Sequence, residues 1–408
     1  MDASATLAVS GDSCSFDSLH AIAFDFSQSP TRLRLNGWCR FQRMKESVTP
    51  SELPLSQDVV LRRLRRYSLV GVLVFAVVIA LNWLVDPLQI YRRAHYPALL
   101  VEPRRFRNPG LARNCPEPLV VMGTSASVFL QPGVLKEKFG MSSLNLSMEG
   151  ASAHEQYLLL RLALQSGKVR EVIWDINCEY FRGSSDWVSD YDGVFPSYLY
   201  DNYWWNDVTN YLLTADTCKN SLRVLARRCG VPAYRVVGVD SFSRFPERAY
   251  GPEAVAAKME RRRQNASAFR QYIPEYSADR LRESFDRNCL SLAREFPDTR
   301  FRLYLPPFSR AYFEFLHEAA PELQPVFMEF RAMLFDRTRG LANVELHDLQ
   351  SELSMLDDLS HFADPIHYDE ETHVKVLELI RGGSALASAA RMEAFRGWVD
   401  GVFRTGSR

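Results

Sequence analysis

"LVVMGTSASVFLQPG" (Leu119–Gly133) begins with an apolar run, passes through Gly-Thr-Ser-Ala-Ser and then starts afresh. A short, uninterrupted apolar run bounded by glycine suits a strand buried on both faces, the usual situation in a parallel sheet. Ser125 then stands where that strand stops and a helix is expected to begin. Two readings of it are open at this point. It caps the helix by accepting a backbone N–H, or it is a nucleophile awaiting a base.

Outward from this stretch the pattern repeats. "SSLNLSM" (142–148), "VREVIWDIN" (169–177), "TRFRLYLPP" (299–307) and "NVELHDL" (343–349) read as further strands. "AHEQYLLLRLALQSG" (153–167) has helical apolar spacing and a glycine stop. Strands alternating with helices predict an α/β protein: a mostly parallel sheet with helices on both faces, three layers in all. In such sheets ligands sit at the carboxyl ends of the strands, where Gly123-Thr124-Ser125 falls.

A chain of 408 residues with zero formal charge can bury a large core and offers no bulk electrostatic case for nucleic acid. One segment departs from the soluble average. "YSLVGVLVFAVVIALNWLV" (67–85) carries no charge, and as a helix it rises roughly 28 Å, close to the hydrocarbon thickness of a bilayer. Arg62, Arg63, Arg65 and Arg66 abut its start, and Trp83 and Tyr91 flank its end like interfacial anchors. Arginines balance across the span, with Arg92, Arg93, Arg104 and Arg105 on the far side. The first cluster lies directly against the apolar core, so the N-terminus is expected inside. No small-residue cleavage site follows before Asp86-Pro87, which reads as an uncleaved signal anchor.

These features divide the chain into a disordered cytoplasmic tail (1–57), an anchor (58–86), a basic connector (87–117), an α/β domain (118–383) and a C-terminal tail (384–408). "MKESVTPSELPLSQ", from Met44, reads as a more natural start than the first residue. Within the domain, 181–267 is an insertion without clean periodicity. Its "DWVSDYDGVFPSYLYDNYWWND" mixes aromatics with aspartates, suited to packing, to sugar stacking or to resting on a bilayer. "KMERRRQNAS" (258–267) reads as a solvated helix face or as a contact for anionic lipid or polymer. The seven cysteines form no CxxC and no His/Cys cluster, so neither a zinc site nor any cofactor is expected. Only Cys218 and Cys229 are close enough in sequence to suggest a pairing. Asp190 and Asp192 in "DYDG" lack the remaining ligands of a calcium loop.

Ser125 needs a base, and the base needs a carboxylate to fix its tautomer. "HFADPIHYDEET" (361–372) supplies both: Asp364 and His367 lie three apart, able to project from one turn. His361 is a rival base, and Asp175 reads as a strand-end structural carboxylate.

Gly-x-Ser after the first strand, a glycine after the second and Asp-x-x-His near the C-terminus together resemble the SGNH (GDSL-like) hydrolase superfamily over roughly 119–380. The resemblance implies a flavodoxin-like three-layer fold, Ser125 as nucleophile and Asp364 and His367 as its partners. It also implies an oxyanion hole made by the N–H groups of Ser125 and Gly150 and the Asn177 amide. The third block is poorly kept: "WDINCEY" stands where Gly-x-Asn-Asp is usual. One span followed by such a domain is similar in architecture to the membrane-anchored proteins of teichoic-acid D-alanylation and polysaccharide O-acetylation. The resemblance therefore implies an esterase or O-acyltransferase acting on envelope polysaccharide, single-pass in the inner membrane with its main domain in the periplasm, working beside export or acyltransferase machinery. The alternative is a non-catalytic anchored scaffold with a vestigial SGNH fold.

Overall fold

The computed structural model describes residues 56–93, 103–201, 203–231 and 248–406. The expected cytoplasmic tail and the Met44 start lie outside the described residues, save the last two of that tail. Two units are distinguished, Met1–Arg66 and Tyr67–Arg408. All that follows concerns the second, apart from the first turns of α1.

The chain enters through α1 (Gln57–Val85) and α2 (Arg104–Arg113), then alternates: β1 (Leu119–Met122), α3 (Pro132–Phe139), β2 (Ser143–Asn145), α4 (Ala153–Gln165), β3 (Glu171–Asp175). The insertion contributes α5 (Trp204–Asp207), α6 (Ala215–Arg228), α7 (Pro252–Gln264) and α8 (Ala266–Arg270). Then come α9 (Ala278–Phe285), α10 (Ser291–Glu295), β4 (Arg300–Leu305), α11 (Arg310–Ala319), α12 (Leu323–Thr338) and β5 (Val344–Asp348). The chain closes with α13 (Leu353–Asp357), α14 (Glu370–Gly382) and α15 (Ala389–Gly406).

All five strands read from the sequence are present, each trimmed to its fully paired centre. They form one parallel sheet in the order β2-β1-β3-β4-β5. This is the flavodoxin-like order, with its topological switch between β1 and β3. Strand periodicity divides the core cleanly. Val120, Met122, Val172, Trp174, Phe301, Leu303 and Leu305 face a layer that includes α4, α10 and α12. Leu119, Val121, Ile173 and Tyr304 face α3, α7, α11 and α14. Neighbouring side chains on a strand point to opposite faces, so the continuous apolar runs are the signature of a sheet covered on both sides.

Among the described residues, α1 is the one helix long and apolar enough to cross a membrane. The last residue of the span, Val85, is followed by a buried polar junction. Asn82 Nδ2 donates to the Leu212 carbonyl (2.7 Å) and its Oδ1 accepts from Ser221 (2.8 Å), while Tyr211 donates to Asp86 Oδ1 (3.0 Å).

Two segments have more structure than the sequence pattern gave them. The connector contains α2, and the C-terminal stretch contains α15, which buries Phe395, Val399 and Val402 beside Phe308, Tyr312 and Phe313. In α15 the apolar residues Phe395, Trp398, Val399, Val402 and Phe403 recur at helical spacing and form its packed face, whereas α2 is rich in arginine with few apolar residues to mark a face. Cys218 and Cys229 are unpaired thiols. Both lie on or at the end of α6, eleven residues apart in the chain, so the helix holds them about 16 Å apart along its axis, beyond the Cα reach of a disulfide.

Candidate active site

After β1 the chain turns at Gly123, whose φ is 150°. A Cβ there would fall 2.2 Å from Asp175 Oδ2 and 2.4 Å from Ser127 Oγ, so only glycine fits. Asp175, at the end of β3, accepts the Thr124 N–H (3.0 Å) across the switch point. Burial raises its carboxyl to about 6, against hydrogen bonds from Ser127, the Thr124 N–H and Tyr180. The expected structural role at the strand end is what these contacts describe.

Ser125 lies in the turns that follow. No helix begins there: residues 125–129 are turns, and α3 starts only at Pro132 with Gln131 as its cap. The N-cap reading and the helix dipole expected behind Ser125 are both set aside. The physical reason lies in β2. Asn145 Nδ2 sits 2.9–3.1 Å from the carbonyls of Ser127, Val128 and Leu130, gathering groups that a helix would otherwise bond internally. Ser127 Oγ meets Ser147 Oγ at 2.9 Å, and the Met148 N–H donates to the Gly123 carbonyl at 3.0 Å. The loop after β1 is thereby zipped to the loop after β2.

That second loop carries Gly150, with φ 60°, in a turn closed by the Ala151 N–H on the Met148 carbonyl (3.2 Å). Among the described residues, neither the Ser125 nor the Gly150 N–H has a hydrogen-bond acceptor. Tyr191, from the insertion, lies over Gly150: a Cβ there would come within 2.8 Å of its ring. The neighbouring Asp192 pairs with buried Arg105, which also holds Glu155 at 3.0 Å. Asp192 of "DYDG" thus serves the fold, and no metal-holding group of acidic, Cys and His side chains occurs among the described residues.

Asp364 and His367 do share one turn. Asp364 Oδ2 lies 2.6 Å from His367 Nδ1, and its Oδ1 accepts the N–H groups of Ile366 and His367 at 3.0 Å each. The turn is closed by the Ala363 N–H on the His367 carbonyl (2.9 Å). Burial opposes ionisation of Asp364, but the imidazole hydrogen bond, the imidazole charge and the two N–H groups together outweigh it and hold the carboxyl at about 2. A permanently ionised carboxylate on Nδ1 leaves Nε2 as the free, basic end of the ring.

The turn is tied to the loop after β4, and the helix that follows it is tied to the Ser125 loop. Ser309, after β4, donates both its N–H and its hydroxyl to the Pro365 carbonyl (2.9 Å each). On α14, His373 Nε2 lies 3.1 Å from the Ala126 carbonyl, beside the buried Ala126 side chain and its partly buried neighbour Ile366. His373 Nδ1 lies 2.7 Å from the Asp369 carbonyl, and burial lowers the ring's pKa to about 4 against these two carbonyl contacts. No hydrogen bond joins Ser125 Oγ to His367 Nε2. Such contacts commonly tighten only when substrate is bound.

Two other expected residues are placed differently. His361 pairs with Asp369 (2.7 Å), whose hydrogen bond raises its pKa against burial; its partner is therefore outside the Asp364 turn. Asn177 is buried, and its Nδ2 has no partner. It lines a small cavity with Cys178, Leu305, Phe313, Phe330 and Arg331, none of which belongs to the Ser125 group. Asp364 itself borders an open cleft of about 330 Å³ lined by Lys258, Arg261, Arg262, Phe269 and Phe315. His373 and Ser309 were not singled out in the sequence. The signal for His373 was its position four residues after Asp369 in the first turn of a helix.

No family model matches the chain, and no curated protein matches it. Among solved structures it is similar to one described as "a putative platelet activating factor from Streptococcus pneumonia", at 12% identity and a TM-score of 0.34, covering 70% of this chain and 92% of that one.

Proposed function

We propose that this protein is an SGNH-type serine acyl esterase or O-acyltransferase, held at a membrane by α1 and acting on acyl esters of envelope polysaccharide. The observation that carries the reading is the Asp364–His367 pair at 2.6 Å, in the turn that leads into α14, whose His373 bonds to the Ser125 loop at the carboxyl end of a parallel sheet. In the first step Ser125 Oγ attacks the ester carbonyl carbon and its proton passes to His367 Nε2. The carbonyl oxygen becomes an anion facing the N–H groups of Ser125 and Gly150. Collapse breaks the ester C–O bond, and His367 returns the proton to the departing alcohol. Water or a sugar hydroxyl then attacks the acyl-serine by the same route in reverse. Asn177 is the proposed third oxyanion donor, and the open cleft of Lys258, Arg261 and Arg262 beside Asp364 is where an acidic glycan chain would lie. The inner-membrane location, with a periplasmic domain and a cytoplasmic N-terminus, belongs to the same proposal.

A second reading, an anchored scaffold with a vestigial site, is favoured by one feature: no hydrogen bond joins Ser125 to His367, whose ring is bonded to Asp364 alone among the described residues. A fluorophosphonate probe separates the two. Ser125 of the full chain is expected to label, and Ser125→Ala to abolish labelling and aryl acetate hydrolysis with an unchanged unfolding temperature. An unlabelled wild-type protein would leave the scaffold.

A further inference from the structure

The strongest unassigned feature lies at the other end of the molecule, where α1 stops. The polar junction of Asn82 and Asp86 fixes the segment before α6 directly against the end of the apolar helix. Beside it is a cleft of about 400 Å³ whose walls differ in character. One wall is apolar and aromatic: Leu88, Phe106, Tyr198 and Tyr211. The other is α6, presenting Lys219 and Arg223.

We propose that this cleft binds the headgroup of an anionic phospholipid. Lys219 and Arg223 are four apart, so they are neighbours on one helix face, where like charges repel. Asp216 also lines the cleft. Arg223 Nη1 is oriented by Asn220 Oδ1 at 3.0 Å, and Lys219 has no partner among the described residues. A phosphodiester between them would relieve the repulsion. The same position suits the rest of the lipid. Leu88 is three residues past the end of a helix whose apolar side chains are largely exposed, so acyl chains leaving the cleft meet hydrocarbon-facing surface. Trp204 and Trp205, 65% and 50% exposed, stand next to this junction on α5. Tryptophan in such numbers on a surface is characteristic of the headgroup level of a bilayer.

The test is thermal unfolding of the full chain in neutral detergent, with added phosphatidylglycerol, phosphatidylcholine or soluble glycerol phosphate. Phosphatidylglycerol is expected to raise the unfolding temperature of the wild type, phosphatidylcholine and glycerol phosphate to leave it in place. Two cations near a lipid surface correspond to at least a tenfold change in affinity, so Lys219→Ala/Arg223→Ala should need about ten times more phosphatidylglycerol for the same rise. Equal stabilisation by both lipids, or of wild type and variant, overturns the proposal. A rise with glycerol phosphate matching that with phosphatidylglycerol overturns the lipid assignment in favour of a soluble phosphate ester. Should the double variant unfold without lipid, Lys219→Gln alone, an exposed side chain, carries the same comparison.

Discussion

Asp175 is buried at the end of β3 and Asp364 partly buried in the turn before α14, and their surroundings drive them in opposite directions. Asp364 is held at about 2, so it contributes stability that is present above the unfolded value near 3.9 and is lost as pH falls through about 2. Asp175 is raised to about 6, so its contribution is complete below the unfolded value and is lost as pH rises through about 6, a difference of roughly 3 kcal/mol. Asp175→Asn should therefore flatten the urea-unfolding stability between pH 4 and pH 6 (roughly), a window set by these pKa values, while leaving the acid limb due to Asp364 intact. Gly123→Ala meets both a Cβ clash and an unfavourable φ and is expected to cost about 3 kcal/mol, measured by the same unfolding curves. Asp364→Asn removes the charge that orients His367; aryl acetate turnover should fall by about 10³-fold or more, with labelling of Ser125 by fluorophosphonate slowed in parallel. At this scale the sequence was a good guide where spacing alone brings groups together. Asp364 and His367 are three apart and meet by local geometry.

The elements were legible for a different reason. A strand covered on both faces is apolar at most of its positions, which leaves an unmistakable run in β1. β2, β4 and β5 carry Asn145, Arg302, Glu345 and His347 among their apolar residues and were readable from their alternation with helices. The turn after Ser125 was not readable as such, because what prevents a helix there is Asn145 on the adjacent strand, a contact that only tertiary structure supplies. Asn145→Ala should release three carbonyls and cost about 2 kcal/mol; it should also impair ester hydrolysis without touching substrate, since the Ser125 loop loses its mould. The start of α4 is the contrasting case, written wholly into local sequence. Ser152 and Glu155 form a reciprocal capping box, and Ser152→Ala is expected to cost about 1 kcal/mol, read as a lowered unfolding temperature with the site unaffected.

Across the whole molecule, the carboxyl end of the sheet gathers contributions from widely separated parts of the chain: the loop after β1, the loop after β2, the turn before α14 and Tyr191 from the insertion. The insertion is therefore not a detachable appendage. Its aromatics split into two populations, with Leu199 and Tyr200 in the core and Tyr203, Trp204 and Trp205 outside, a division that composition alone does not show. Tyr191 is 66% exposed and lies over Gly150; under the proposed function it would restrict the approach of bulky acyl groups. Tyr191→Ala should raise the rate on longer acyl esters relative to acetate several-fold, measured as kcat/KM across a chain-length series.

The junction at the end of α1 has a geometric consequence of its own. Asn82 projects from the last turn of the helix and Asp86 is the residue by which the chain leaves it; the first engages Leu212 and Ser221, the second Tyr211. The domain is consequently indexed to the rotational phase of the helix as well as to its length. One residue inserted between Asn82 and Asp86 would turn one of them by about 100° and uncouple the joint, whereas residues added well upstream of Asn82 would lengthen the helix and leave the indexing untouched.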